Sequence, residues 1–216
     1  YACAMTTVLL TGFEPFAADA TNPSGDAVRL VAASWAGPEH LVTAVLPVTF
    51  DGAAAELRAL IAQHSPDIVI ATGLAGGRTA VTPERVAINL IDARIPDNSG
   101  AQPSDEPSLV AGPAAFFTTL PVKAIVREAS AAGIPTALST TAGTFVCNHV
   151  FYQALDAASA RPGMRAGFVH VPYAAESAPV GAPSLPLADI AHALTIAVRT
   201  SIDTTADNEV AGGTLH

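Results

Sequence analysis

The 216-residue sequence is short of charged residues and of cysteine, and each shortage excludes a class of protein. Only 13% of the residues are charged, and ten lysines and arginines stand against 19 aspartates and glutamates. These cations form no cluster that would follow a phosphate backbone, so nucleic-acid binding is not expected. Two cysteines, Cys3 and Cys147, cannot build the disulfide framework of a small secreted domain. No uncharged apolar run reaches the ~18–20 residues of a membrane span, so we expect a soluble, cytoplasmic protein.

Half of the residues are hydrophobic, which is enough to bury a core and excludes a disordered chain. The length fits a single domain, which we place at residues 5–200. Residues 1–4 lack the cationic and apolar regions of a signal peptide and are expected to be an expression remnant. Residues 201–216 show no periodicity, and this predicts a flexible C-terminal tail.

Short apolar runs alternate with helical patterns along this domain. Strands are predicted at 7–11, 41–48, 68–71, 84–92, 136–139 and 167–171. Helices are predicted around 54–61, 122–129, 150–155 and 187–197. The alternation predicts a single-domain α/β fold, a three-layer α/β/α sandwich with a mixed, largely parallel twisted sheet. The polar segment 95–113 interrupts the pattern, and we expect it to be a functional or mobile loop.

Cys147 stands where a predicted strand passes through a glycine-containing turn into a helix. The positive end of a helix favours thiolate over thiol, and such a turn presents backbone N–H groups that can hold an oxyanion. These features fit a catalytic nucleophile. A buried structural cysteine is the alternative interpretation of the same residue.

Other candidates for chemistry lie far from this cysteine in the sequence. His170 closes the last predicted strand, where open α/β sheets place their sites, and it fits either a general base or a satisfied polar group. Glu84 is a candidate site residue only as a third group that orients a histidine beside a cysteine. His149 lacks the companion cysteines or histidines of a zinc site. The glycine-rich segment 73–78 lacks the spacing of a nucleotide-binding loop and favours a tight turn.

Five motifs, taken in order, resemble those of one family. They are TGFEPF at 11–16 with NPS at 22–24, GGR at 76–78 with PERVAIN at 83–89, DARIPDN at 92–98, TAGTFVCNH at 141–149, and HVPY at 170–173. In these motifs the sequence is similar to the type I pyroglutamyl peptidases, or pyrrolidone-carboxylate peptidases, which are cysteine exopeptidases. The similarity extends from about residue 7 to about residue 200.

This resemblance implies a Cys–His–Glu triad with Cys147 as nucleophile, His170 as base and Glu84 as the acid that holds the imidazole. It further implies that Arg94 and the backbone N–H of Cys147 stabilise the oxyanion. The expected activity is removal of an N-terminal pyroglutamyl (5-oxoprolyl) residue from peptides through a thioester, with no cofactor and no metal. Members of the family are often homotetramers, so we expect a homo-oligomer.

A pyroglutamyl ring is small, flat and uncharged, so its pocket should combine apolar walls with one or two hydrogen bonds. By resemblance, the residues around the ring are Phe13, Phe16, Asn22, Val48, Leu74, Ile95, Phe145 and Val146. Many members carry glutamine where this chain has Leu74, and a lost neutral hydrogen bond is worth ~0.5–1.5 kcal/mol. We therefore expect weaker ring recognition with the triad unaffected.

The sequence leaves two other functions open. Leu74 is compatible with a related cysteine amidohydrolase whose pocket has changed to another cyclic or amide substrate. A non-catalytic binding protein on the same fold is the third possibility, and it predicts that the thiol of Cys147 is no more reactive than a free one.

Overall fold

The structure is a computed structural model, and it describes residues 5–207, 209 and 211. The strands among these residues are β1 (Thr7–Phe13), β2 (His40–Leu46), β3 (Ile68–Leu74), β4 (Thr82–Pro83), β5 (Val86–Ile88), β6 (Ala115–Phe117), β7 (Arg165–Val171), β8 (Tyr173–Ala174) and β9 (Ser184–Leu185). The helices are α1 (Pro23–Ser34), α2 (Phe50–His64), α3 (Val122–Ala131), α4 (Val146–Ser159) and α5 (Leu187–Asp203). Helices α2 to α5 contain the four predicted helical segments, and those predictions are confirmed.

The central sheet has the strand order β2-β1-β3-β7-β4. Neighbouring strands are parallel, except that β4 runs antiparallel to β7. The strands β1, β3 and β7 are buried at nearly every position, because helices cover both faces of the sheet, and this explains their continuous apolar sequences. The prediction of a mixed, largely parallel sheet is confirmed.

Two hydrophobic cores, one on each face of the sheet, form the three layers that the sequence predicts. On one face, α2 and α4 pack Leu57 and Phe151 against Phe168 of β7. On the other face, α1, α3 and α5 bury side chains such as Val28 and Leu194. Fully burying a leucine or phenylalanine side chain contributes about 1.5–3 kcal/mol, so these cores hold the layers together.

Helix α1 is absent from the sequence prediction, although its first turn carries a clear start signal. Asn22 is the N-cap, and its Oδ1 accepts the N–H of Ser24 at 3.1 Å, while Pro23 occupies the first helical position. The buried face includes small residues such as Gly25 and Ala27, so its apolar periodicity is weak. The helix matters for the site because its N-terminus fixes Asn22.

The strand predicted at 84–92 is divided in the structure. Glu84 forms a parallel bridge to Ser139, and the chain then leaves the central sheet so that β5 pairs with β6. The segment 136–139, predicted as a strand, pairs with this region only through isolated bridges, because Pro83 has no N–H to donate to the ladder. Glu84 is therefore held at the boundary between two sheets.

The segment 95–113 is a long loop without helix or strand, and both of its halves are anchored. Buried Asp97 accepts the N–H groups of Phe50 in α2 and of Ala101, each at 2.9 Å. Ser108 Oγ lies 2.6 Å from Nδ1 of His149 in α4. These bonds tie the loop to both helices that cover one face of the sheet.

The end of the domain lies beyond the predicted boundary at residue 200. Helix α5 continues to Asp203, and Ser201 is fully buried, so the flexible tail does not begin at 201. The physical reason is that the Arg165 guanidinium donates to the carbonyls at the end of this helix, and the Asp207 carboxylate accepts the N–H of Lys123 in α3. The predicted remnant 1–4 and positions 208, 210 and 212–216 of the predicted tail lie outside the described residues. None of the helices in the described part of the chain is long and apolar enough to cross a membrane.

Candidate active site

Cys147 is the second residue of α4, and the turn that carries it is fixed from one side. The N-cap Phe145 makes no side-chain cap hydrogen bond, so it leaves first-turn N–H groups available to a ligand. Asn148, almost fully buried, accepts the N–H of Ile88 at 3.0 Å and donates to the carbonyl of Ile88 at 2.9 Å. The helix end that bears the sulfur is thereby bonded to β5. Asn148 lies in the TAGTFVCNH motif, but the sequence analysis did not identify it as a site residue.

Gly73 of β3 brings Cys147 and His170 to the same place. Gly73 is the register partner of His170 in the parallel β3–β7 pair, so a side chain at either position points to the same face of the sheet. A Cβ at Gly73 would lie 2.7 Å from Sγ of Cys147. The sulfur therefore occupies the space beside His170 that a larger residue at position 73 would fill.

His170 and Glu84 form a buried, hydrogen-bonded pair. Nδ1 of His170 lies 2.7 Å from Oε1 of Glu84, and Glu84 is fully buried. The backbone N–H of Glu84 donates to the carbonyl of Phe168 at 2.9 Å, which holds the carboxylate beside β7. The ring of Phe168 packs on the imidazole with centroids 4.7 Å apart. Because the Glu84 carboxylate accepts a hydrogen bond at Nδ1, the neutral imidazole carries its proton on Nδ1, and Nε2 is free to accept a proton.

Arg78 contacts the same carboxylate oxygen, and sequence reasoning missed it. Its Nη1 lies 2.7 Å from Oε1 of Glu84 and also donates to the hydroxyl of Thr82. Its Nη2 donates to the carbonyl of Thr141 at 2.9 Å. The only available signal was the position of Arg78 at the end of the GGR motif.

A cavity of about 370 Å³ opens at Cys147. Its wall contains all eight residues that the sequence analysis assigned to the ring, and also Arg94. Three further lining residues were not predicted: Asp19, Gly76 and Tyr173. The ring of Tyr173 packs on Gly76, where a Cβ would lie 2.6 Å from Cε2. The structure thus places the sulfur at a cavity lined by both apolar and polar side chains.

Comparison with known proteins identifies the family. The family model described as pyroglutamyl peptidase matches residues 6–204. The chain belongs to the pyroglutamyl peptidase family. It is 49% identical over 213 residues to the pyrrolidone-carboxylate peptidase of Clavibacter michiganensis subsp. michiganensis, which covers 98% of this chain and 100% of that protein. It is 50% identical to the pyrrolidone-carboxylate peptidase of Bacillus amyloliquefaciens, over 97% of this chain and 98% of that protein.

Solved structures of pyroglutamyl peptidases share the fold. The pyroglutamyl peptidase I from Bacillus amyloliquefaciens superposes with a TM-score of 0.92 at 48% identity, over 96% of this chain and 100% of that one. The pyrrolidone carboxyl peptidase from Thermococcus litoralis gives 0.87 at 39% identity, over 92% and 94%. The family resemblance seen in the sequence motifs is confirmed.

In this pyroglutamyl peptidase, two of the pocket residues offer little hydrogen bonding to a ligand. Leu74 lines the cavity and has no polar side-chain atom. Asn22 uses its Oδ1 to accept from the N–H and the hydroxyl of Ser24, and its Nδ2 donates to the carbonyl of Glu14 at 2.8 Å. One N–H of the Asn22 amide remains for a ligand.

Arg94 lies at the cavity wall with its guanidinium free. The residue is exposed, and its side chain makes no hydrogen bond or ion pair with any residue that the structure describes. Ile95, the next residue, is 46% exposed at the same wall. A guanidinium in this position is available to an anionic group formed at the mouth of the cavity.

The surroundings of Cys147 oppose the thiolate-favouring effect that its position at a helix end predicts. Burial raises the pKa of this thiol to about 12, and the negative charge of Glu84 adds to the effect. The Arg78 charge and the N–H of Cys147 lower the pKa but do not outweigh these two causes. Burial lowers the pKa of His170, against the raising effect of its bond to Glu84. The surroundings thus favour the thiol over the thiolate at Cys147 and the neutral imidazole over the imidazolium at His170.

His149 does not line the cavity at Cys147 and bonds to the loop at Ser108. Burial and the nearby charge of Arg58 lower its pKa to about 4. The described residues contain no group of three or more histidine, cysteine, aspartate and glutamate side chains that could hold a metal. The contact with Ser108 makes His149 a packing and loop-anchoring residue here.

Proposed function

We propose that this protein is a cysteine exopeptidase that removes an N-terminal pyroglutamyl residue from peptides. The observation that carries the proposal is the 2.7 Å bond between His170 Nδ1 and Glu84 Oε1, in register with the glycine that makes room for the Cys147 sulfur. Family membership supports the substrate class. The cavity at the sulfur is large enough for a five-membered lactam and combines apolar side chains with a few polar groups, as a small uncharged ring requires.

The first step is attack by Cys147 Sγ on the carbonyl carbon between pyroglutamate and the next residue. Because the thiol is neutral at rest, its proton must leave as the carbon–sulfur bond forms, and Nε2 of His170 is the nitrogen free to take it. Glu84 stabilises the imidazolium that results and keeps its orientation. The negative charge that develops on the carbonyl oxygen is met by the N–H of Cys147 and by Arg94.

The second half of the reaction returns the enzyme to its resting state. The carbon–nitrogen bond breaks as imidazolium Nε2 gives its proton to the leaving amine, which departs as the shortened peptide. His170, neutral again, accepts a proton from water while the water oxygen attacks the thioester. Collapse of this second intermediate releases pyroglutamate and returns the proton to the sulfur.

The deciding experiment measures chromophore release from a pyroglutamyl-arylamide in the presence of reductant. Wild type is compared with Cys147→Ala and with Cys3→Ala, which removes the other cysteine as a matched control. We expect turnover in wild type and Cys3→Ala and none in Cys147→Ala. A folded, reduced wild type that releases no chromophore would overturn the proposal.

A related amidohydrolase with a changed pocket is the second candidate. The limited hydrogen bonding that Leu74 and Asn22 offer to a pyroglutamyl ring favours it. Leu74 supplies no hydrogen bond. Oδ1 of Asn22 caps α1, and its Nδ2 donates to the carbonyl of Glu14. Rates on pyroglutamyl-, prolyl- and glutaminyl-arylamides separate the two functions. If the first is correct, the pyroglutamyl compound is the fastest, and Leu74→Gln raises its selectivity roughly threefold to tenfold, as one added hydrogen bond allows. A faster rate on either of the other two compounds supports the second function.

We further propose that the protein is a cytoplasmic homo-oligomer, with a tetramer as the expected state. Exposed apolar side chains support self-association: Phe117 of β6 is 70% exposed and Val110 is 82% exposed. Sedimentation velocity of the purified chain measures the mass in solution. A monomer at micromolar concentration would exclude the oligomer.

A further inference from the structure

The Arg78 guanidinium stands behind the Glu84–His170 pair, and the mechanism above gives it no part. Oε1 of Glu84 lies 2.7 Å from Nη1 of Arg78 and 2.7 Å from Nδ1 of His170. One carboxylate oxygen is therefore shared between a permanent cation and the imidazole. Arg78 is 24% exposed at its side chain, so solvent screens this ion pair only in part.

The Glu84 carboxylate depends on the Arg78 cation because few other groups around it stabilise its negative charge. The residue is fully buried, and its second oxygen, Oε2, has no hydrogen-bond partner among the described residues. A buried carboxylate without a compensating charge is strongly unfavourable. Burial keeps His170 neutral at rest, so the charge that balances Glu84 before the reaction is that of Arg78.

The guanidinium is itself held in place by the elements around the site. Nη1 donates to the hydroxyl of Thr82, which in turn donates to the backbone carbonyl of His170 at 3.4 Å. Nη2 donates to the carbonyl of Thr141, in the segment that leads to Cys147. A rigid guanidinium fork makes these contacts together, which a lysine ammonium on a flexible stem does not reproduce.

We propose that Arg78 is a positioning residue of this site: it holds the Glu84 carboxylate where it accepts the Nδ1–H of His170, and so keeps Nε2 free for the Cys147 proton. This inference rests on the proposed peptidase function. It differs from a role in folding because it acts through Glu84 on the imidazole.

The charges around the reacting groups give the proposal a measurable consequence. Glu84 and Arg78 are the charged groups that act on both His170 and Cys147. Burial is the largest influence on the pKa of His170 and lowers it, and the Arg78 charge lowers it further. Losing the Arg78 charge alone would raise the pKa of His170, but losing the Glu84 bond that Arg78 holds removes two larger raising effects. Under the proposal the pKa of His170 therefore falls when Arg78 is replaced, and the acidic limb of the kcat/KM profile moves to lower pH.

The first test compares Arg78→Met and Arg78→Lys with wild type on a pyroglutamyl-arylamide across pH. Arg85→Met is the matched control, because it removes the same charge one residue from Glu84 and its side chain has no hydrogen bond or ion pair to the described residues. We expect Arg78→Met to lower kcat roughly 10- to 100-fold with KM changed less than about threefold, and to move the acidic limb to lower pH. Arg78→Lys should restore the pH of the acidic limb more fully than it restores kcat. A lysine supplies the positive charge of Arg78 but not its planar fork of hydrogen-bond donors. An acidic limb that stays in place or moves to higher pH in Arg78→Met overturns the proposal, because Glu84 would then have kept its bond to His170 without Arg78.

The second test asks whether Arg78 acts through Glu84. Arg78→Met is introduced into Glu84→Gln, which also removes the buried charge and keeps a folded comparison if the single variant does not fold. We expect the second substitution to lower kcat less than about threefold in this background, because the contact it removes has already lost its function. An equal loss in both backgrounds overturns the proposal and assigns Arg78 to the Thr141 segment instead.

A third measurement does not depend on turnover. Nitrogen NMR of the His170 imidazole reports which ring nitrogen carries the proton in the absence of substrate. We expect the Nδ1–H form in wild type and Arg85→Met and a mixture of tautomers in Arg78→Met. An unchanged tautomer in Arg78→Met overturns the inference even if wild type hydrolyses pyroglutamyl-arylamide. Conversely, a wild type without activity refutes the peptidase function while the tautomer still decides the role of Arg78.

Discussion

A Cβ at Gly73 would lie 2.7 Å from Sγ of Cys147, so the space of one missing side chain is occupied by the sulfur. The same Cβ would lie 2.9 Å from Cζ of Phe168. Gly73 is in register with His170, so the space left by its missing side chain lies beside the imidazole on the same face of the sheet. The thiol of Cys147 occupies that space. The position tolerates no substituent while both side chains stay in place.

The first prediction concerns Gly73→Ala. The added methyl group must displace either the Cys147 sulfur or the Phe168 ring, so we expect kcat to fall and the protein to lose about 1–3 kcal/mol of unfolding free energy. Gly77→Ala is the control, because a Cβ there meets nothing within 4 Å. Denaturant unfolding and kcat are measured on both variants. Equal values for Gly73→Ala and wild type would show that the sulfur does not depend on this space.

The second prediction concerns Glu84→Gln. An amide cannot stabilise the imidazolium of His170, so we expect kcat to fall by about 10²- to 10⁴-fold. KM should change little because Glu84 does not line the cavity. Steady-state kinetics of this variant are compared with Glu56→Gln, an exposed glutamate on α2. A loss confined to KM would contradict the assigned role.

The third prediction concerns the resting state of Cys147. Because burial raises the pKa of this thiol to about 12, its thiolate should form near that pH and not near the ordinary value of ~8.5. The measurement is the ultraviolet thiolate absorbance of wild type minus that of Cys147→Ala as pH rises. A thiolate present at neutral pH would refute the neutral resting pair and favour a preformed thiolate–imidazolium.

The fourth prediction concerns stability at acid pH and His149. Its folded pKa of about 4 lies below the unfolded value of ~6.5, so between these values the unfolded state binds more protons. The contribution of His149 to the unfolding free energy should therefore be greatest above pH 6.5, and the unfolding free energy should fall by roughly 3 kcal/mol as pH drops to 4. Denaturant unfolding across this window is compared between wild type, His149→Asn and the exposed control His192→Asn. The slope should shrink in His149→Asn alone, and an unchanged slope there would exclude His149 as its source.

Sequence patterns predicted the central architecture because the cause is local. The strands β1, β3 and β7 are covered on both faces, and such strands must be apolar without interruption. Patterns were less successful where one residue interrupts a ladder, as Pro83 does beside 136–139. They also missed α1, whose buried face is partly built of small residues.

The candidate site divides in the same way. Long motifs pointed to Cys147, His170 and Glu84, and to all eight predicted ring-contact residues that line the cavity. No pattern indicated that Arg78 would share an oxygen of Glu84 with His170, because that contact depends on where a side chain ends in space. Nor could spacing along the chain show that burial and the Glu84 charge raise the pKa of the Cys147 thiol.

By itself, the sequence determined the α/β class, the family and the residues able to do the chemistry, since each is written in local composition or in contiguous motifs. Only the tertiary structure decided the surroundings that raise the pKa of Cys147 and the pairing of Arg78 with Glu84. The physical reason is that burial and Coulomb interactions depend on distances between segments that are remote in the chain, and folding alone sets those distances.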